Sequence, residues 1–332
     1  DVANAREIAM TTTGGLGEAE GGGPALNVLP KEGGNSIRGT FFAAGVTSGM
    51  VGSNYTQDLI NRGLTTPGET RKVWDFNLGI GGPIAKDRVW YYLNLREEGS
   101  ERTVPGMFAN ANAGDPTKWT YVADTGRPAV LAASYRITAL RLTGQATPRN
   151  QFKVFWDQQR PCEGGAAAGY SGSACRVSSN DLAYGGSTAA PTPSASAIAA
   201  PETAGYRDYG NRVSQAKWTS PVSSKLLLEG GFGMYISRYG GGQLPGLPTE
   251  NLIRVTEQCA AGCAANGNIA NLSYRSLNWF SNINWNNSWN AAASYVTGKH
   301  SIKFGYQGGA LIDQRKNFGN NQFLNYRTNN GV

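Results

Sequence analysis

Val73-Trp74-Asp75-Phe76-Asn77-Leu78-Gly79-Ile80-Gly81-Gly82-Pro83-Ile84-Ala85-Lys86-Asp87-Arg88-Val89-Trp90-Tyr91-Tyr92-Leu93-Asn94-Leu95-Arg96 is the stretch on which the fold turns. Trp74, Phe76, Leu78 and Ile80 alternate with Val73, Asp75, Asn77 and Gly79. After a short polar connector, Val89, Tyr91, Leu93 and Leu95 alternate with Trp90, Tyr92, Asn94 and Arg96. Successive side chains of a strand point to opposite faces, so both runs read as strands with one apolar face. Gly81-Gly82-Pro83 is expected to make the tight turn, with Lys86, Asp87 and Arg88 in water.

The same rhythm recurs down the chain. Phe152, Val154 and Trp156 share one parity, as do Leu226, Leu228, Phe232, Met234 and Ile236. Trp285, Trp289 and Tyr295 form a further set, and Ile302, Phe304, Tyr306 and Ile312 another. Weaker patterns at 36–47, 135–144 and 207–219 bring the expected total to about nine strands. The opposite parity is polar or small, including Asp75, Asp157 and Glu229. A polar interior and an apolar, aromatic-tipped exterior suit a membrane-spanning β-barrel. Alternation alone fits a soluble β-sandwich equally well.

The connectors separate the two readings. Those at 81–88, 145–150, 220–224 and 297–299 are short, whereas those at about 48–70, 104–133, 160–206 and 239–283 are long. Short and long alternate throughout. Compact soluble domains keep most loops near about 4–6 residues, while outer-membrane barrels have short turns on one side and long loops on the other.

Bulk composition agrees. Gly contributes 45 of 332 residues and charged residues only 16%, a profile that excludes coiled coils, helical bundles and charged disordered tails. No apolar run approaches the roughly 18 residues of a membrane-spanning helix. The net charge of +7 comes from scattered Lys and Arg, without the clustering that nucleic-acid binding requires. Cys162 with Cys175 and Cys259 with Cys263 fall as two local pairs in long Gly- and Ala-rich connectors, which reads as loop disulfides in an oxidising compartment. A metal site is the competing reading, but the spacings lack the usual Cys-x2-Cys.

The run Gly21-Gly22-Gly23-Pro24-Ala25-Leu26-Asn27-Val28-Leu29-Pro30-Lys31-Glu32-Gly33-Gly34-Asn35, followed by Arg38-Gly39-Thr40-Phe41-Phe42, resembles the plug-to-barrel junction of TonB-dependent outer-membrane receptors, closest to the Oar-like subgroup. The hairpin quoted above resembles that subgroup's second hairpin. The resemblance is specific over about residues 20–100 and rests on strand rhythm thereafter. It implies that residues 1–35 are the end of a plug domain, with Gly33, Gly34 and Asn35 at the junction, and that 36–332 are the first part of an outer-membrane barrel. Gly81, Gly82, Pro83 and Asp87 then form a periplasmic turn. The expected fold class is all-β: a partial antiparallel transmembrane barrel of about nine strands with open edges, preceded by the tail of a plug. The implied function is TonB-dependent uptake of a solute across the outer membrane of a Gram-negative bacterium. The implied partners are outer-membrane lipid, the energy-transducing TonB complex and the solute. The alternative is a secreted β-sandwich that binds or adheres through disulfide-stapled loops.

No enzyme chemistry and no cofactor is expected. A nucleophilic triad needs a His base, and His300, the single His, sits beside a tight turn at a strand start. Asp75, Asp157 and Glu229 are expected to line a wet channel rather than to pair as glycosidase carboxylates. The Gly14–Gly23 stretch lacks the Gly-Lys-Ser/Thr of a phosphate loop.

Overall fold

A computed structural model describes residues 5–11, 25–62, 64, 67–163, 183–184, 198–203, 210–241, 249–258, 269, 271–276 and 278–330. β1 (Ala5–Thr11) and β2 (Ala25–Pro30) pair with each other as an antiparallel ribbon. The main sheet then runs through β3 (Arg38–Thr47), β4 (Thr70–Ala85), β5 (Val89–Asn110), β6 (Ala123–Thr147) and β7 (Asn150–Glu163). After the two-residue strands β8 (Ala183–Tyr184) and β9 (Ile198–Ala199), it continues with β10 (Asn211–Pro221) and β11 (Leu226–Gly241). The short β12 (Arg254–Glu257) and β13 (Leu272–Tyr274) precede β14 (Trp279–Thr297) and β15 (His300–Phe318), and β16 (Asn325–Thr328) follows.

The sheet order is β15-β14-β11-β10-β7-β6-β5-β4-β3, all antiparallel, with β8 added in parallel to β6. It is an up-and-down meander of the nine strands expected from the alternation. Its terminal strands β3 and β15 carry no further partner among the described residues, so the sheet is open.

Register shows why the sheet holds together. One cross-strand row runs Phe41, Leu78, Leu95, Thr138, Gln158, Arg212, Ile236, Trp285, Ile312. The row one residue away runs Thr40, Gly79, Asn94, Ala139, Asp157, Val213, Tyr235, Asn286, Leu311. All the apolar sets read from the sequence fall on the first face. A one-residue slip in any strand would mix the faces, so the two-sided pattern fixes the register. The apolar face is bare: Phe41 is 71% exposed, Phe304 72% and Tyr306 67%. The sandwich reading requires these rows to be buried against a second sheet, and they are not. On the polar face the side chains of β5, β6 and β7 are the covered ones, with Asn94, Ala139 and Asp157 buried.

Two expectations need correction. Gly81, Gly82 and Pro83 do not make the tight turn. They belong to β4, opposite Tyr92, Tyr91 and Trp90, and the turn is Lys86-Asp87-Arg88 with Asp87 at φ 62°. Pro83 is tolerated there because β3 begins opposite Gly81, and because the ladder shifts register between Pro83 and Ala85. The connector expected over 104–133 is also much shorter, since β5 and β6 extend to leave only 111–122. Their far ends abandon strict alternation at a register shift between Thr103 and Phe108, where Gly106 takes φ 68°.

Those extensions carry the conventional core. Val104, Met107, Tyr121, Ala129, Ala200, Val255, Leu272 and Tyr274 are buried together at the loop end of the sheet. A small mixed sheet, β16-β12-β13-β9, supplies Val255, Leu272 and Tyr274 of this cluster, and Ala200 directly follows β9. The described parts of the connectors at 111–122, 198–203, 249–258 and 271–276 therefore build a packed cap. The turns at the other end, including 148–149 and 298–299, are too short to bury anything.

Candidate functional site

Residues 31–37 leave β2 and cross the polar face before β3 begins, and here the expected junction residues meet the expected turn residues. Glu32 accepts hydrogen bonds from Arg141 Nη2 at 2.5 Å and Lys153 Nζ at 2.9 Å, so one carboxylate ties the lead-in segment to β6 and β7. Burial alone would raise the Glu32 carboxyl. The Lys153 hydrogen bond and the charges of Arg141 and Lys153 outweigh it and hold the group below its usual range.

Gly33 follows, pressed against the wall. A Cβ on Gly33 would stand 2.1 Å from the Tyr91 carbonyl oxygen, and one on Gly81 would stand 3.3 Å from the Gly33 Cα. The glycines at 33 and 81 thus permit backbone to lie on backbone, the close approach that only Gly allows. Gly34 faces open space. Asn35 then closes the turn: its Nδ2 donates to Asp87 Oδ1 at 2.5 Å, and its Oδ1 accepts from the Asp87 amide at 3.0 Å and Trp90 Nε1 at 2.7 Å. The pairing holds Asp87 in its left-handed conformation, one that short polar side chains adopt more readily than others.

On the polar face beyond this junction, Asp75, Glu98 and Glu229 are paired with cations. Arg96 clasps Asp75 with Nε and Nη2 at 2.9 and 2.8 Å and reaches Glu98 at 2.7 Å. Lys217 pairs with Glu229 at 3.0 Å. Asp75, Asp157 and Glu229 all lie on this face, and Asp75 and Glu229 are matched to cations rather than to each other. His300 is exposed at the first position of β15.

The loop-end cap holds a second polar cluster that sequence reasoning missed. Glu202 is buried, accepting from Asn110 Nδ2 at 2.7 Å and the Arg275 amide at 3.2 Å, and burial pushes its carboxyl up. The Arg275 guanidinium lies 3.9 Å from the Trp119 ring, which stacks on Tyr326 with centroids 5.6 Å apart. No spacing motif marks these residues, because they come from three connectors, the end of β5 and the segment after β15. Among the described residues no group of His, Cys, Asp and Glu could hold a metal ion. The Cys162 side chain, and Cys175, Cys259 and Cys263 entirely, lie outside the described residues.

No family model matches the chain, and no curated protein matches it. Among solved structures, the outer membrane transporter YddB from Escherichia coli is similar, with a TM-score of 0.56 and 11% sequence identity. The sheet is part of a β-barrel. The match covers 95% of this chain and 36% of the transporter, so the chain spans about a third of that barrel protein's length.

Proposed function

We propose that the chain is one side of the barrel, with the end of the plug, of a TonB-dependent outer-membrane receptor of the Oar-like subgroup. The observation that carries this reading is the attachment of residues 31–35 to the polar face through Glu32, Gly33 and Asn35. A segment entering from inside the wall and fastened at the tight-turn end is what a plug feeding its barrel requires. The bare apolar rows face lipid, and the paired charges and amides of the opposite face line a wet interior. Solute is captured by the loop-end cap and passes along that interior. A pull on the plug from the periplasm rearranges residues upstream of Glu32, because the fastening at 32–35 holds the last stretch in place.

Strains carrying or lacking the intact protein, each with and without a working TonB complex, test the proposal by solute depletion from defined medium. At least one solute is expected to be consumed only when both are present. Depletion that needs the protein but is indifferent to TonB would overturn the coupling. Recovery of the protein outside the outer-membrane fraction would overturn the whole reading.

A further inference from the structure

The register puts four arginines on the apolar face at its loop-side margin. Arg136 of β6 stands directly opposite Arg160 of β7. Arg212 of β10 faces Gln158, two residues from Arg160, and Arg238 of β11 lies two residues beyond Ile236, the partner of Arg212. Four consecutive strands thus each carry an arginine on this face within two residues of register of the next, and all four residues are exposed. The neighbouring acceptors on this margin are Glu97, 3.6 Å from Arg136 Nε, and Gln158 Oε1, 3.1 Å from Arg212 Nε.

Like charges opposite one another on paired strands repel, and among the described residues the one carboxylate within reach, Glu97, does not offset four cations. The described residues leave the arrangement short of anions, and its height points to which kind completes it. From Leu226 to Ile236 the apolar side of β11 spans ten rises, about 26 Å when tilted by about 40°. That matches the roughly 25 Å apolar band of a barrel. Arg238 is the next residue on the same face, so the belt stands where hydrocarbon gives way to headgroups. The planar guanidinium fork fits phosphate oxygens two at a time.

Resting on the reading of the sheet as a membrane wall, we propose that Arg136, Arg160, Arg212 and Arg238 form a binding site for the phosphate groups of lipids in the loop-side leaflet. Phosphorylated lipid is the shared counter-anion that relieves their mutual repulsion.

The test titrates the full-length protein in neutral detergent with lipid A, a diphosphorylated glycolipid, and separately with its dephosphorylated form and with inorganic phosphate. Native mass spectrometry counts retained lipid, and thermal scans record stabilisation. The wild type is expected to retain and be stabilised by lipid A alone. R136Q/R160Q/R212Q/R238Q is expected to bind it about tenfold more weakly or worse. Should that variant not fold, R160Q/R238Q, which removes no hydrogen bond described above, is read in its place. It is expected to be more heat-stable than wild type without lipid and to gain less from lipid A. Undiminished retention by the folded variants overturns the proposal, as does equal binding of the dephosphorylated lipid. Displacement of lipid A by inorganic phosphate at equal concentration makes the site a free-phosphate site and overturns the lipid assignment. Failure of wild type and variants alike to enter neutral lipid bilayers refutes the membrane wall itself, a result distinct from insertion without phosphate preference.

Discussion

Glu32→Gln removes the charge that fastens the N-terminal segment to the wall while keeping the side chain's size. In the wild type, Glu32 and Arg141 side chains are 25% and 11% exposed, and Lys153 is 31% exposed. Their hydrogen bonds are therefore charge-assisted and largely shielded from water. Hydrogen bonds to charged groups contribute about 1.5–3 kcal/mol each, and Gln keeps one neutral acceptor, so the net loss is about 2 kcal/mol. The segment should then open about 30-fold more often. Hydrogen–deuterium exchange on the full-length protein reads this directly from peptides spanning 31–37, with the β14–β15 hairpin as reference. The wild type should show the same loosening only in acid. Because the folded carboxyl lies below its ordinary value of about 4.3, its contribution is complete above that pH and fades as pH falls through the lowered value. Unchanged exchange at 31–37, or an equal change in the reference hairpin, would refute the assignment of Glu32 as the fastening.

Gly33→Ala should free the same peptide at least as much, since its methyl would meet the Tyr91 carbonyl oxygen, whereas Gly34→Ala, facing open space, should leave exchange unchanged. Asp87→Val places a β-branched residue at φ 62° and removes the partner of Asn35, so thermal unfolding should move down by several degrees, about 2 kcal/mol, with Asp87→Asn restoring it. Glu202→Gln should slow proteolysis of the loop-end cap at pH 8: burial raises the carboxyl, so the wild-type cap loses stability as pH climbs from the ordinary carboxylate range through the raised value, and the variant does not. Trp119→Ala, which strips the Arg275 guanidinium and Tyr326 of their shared ring, should speed cleavage of the cap without altering exchange in β14–β15.

The barrel wall was legible in the sequence because a period of two needs no partner to be seen. Phe76 and Leu78 against Asp75 and Asn77 already state which face each strand turns outward. Strand ends were not legible where the chain leaves the wall. Val104, Met107 and Ala129 answer to a local core built with β12 and β13, and their spacing carries no alternation. Gly81-Gly82-Pro83 misled because the composition of a turn also serves a close backbone approach, here to Gly33 and Ile37. Glu32, Gly33 and Asn35 stood out individually in the sequence, yet the assembly of Glu32 with Arg141 and Lys153 depends on strands far along the chain. The arginine belt is the extreme case. Arg136, Arg160, Arg212 and Arg238 share no motif, and only the register of four strands brings them into line.

The central claim is that the sheet's two faces meet two different media. Spin labels placed singly at 78, 154, 232 and 304, and at the neighbouring positions 77, 153, 231 and 303, test it in the intact protein in its native membrane. Collision with oxygen and with a polar nickel reagent is measured for each. The first set should favour oxygen and the second the polar reagent, with the preference reversing at every step along the strand. Labels at 78, 154, 232 and 304 that the polar reagent reaches freely, or that neither reagent reaches, would show that this face touches water or protein instead of lipid, and the account would fail.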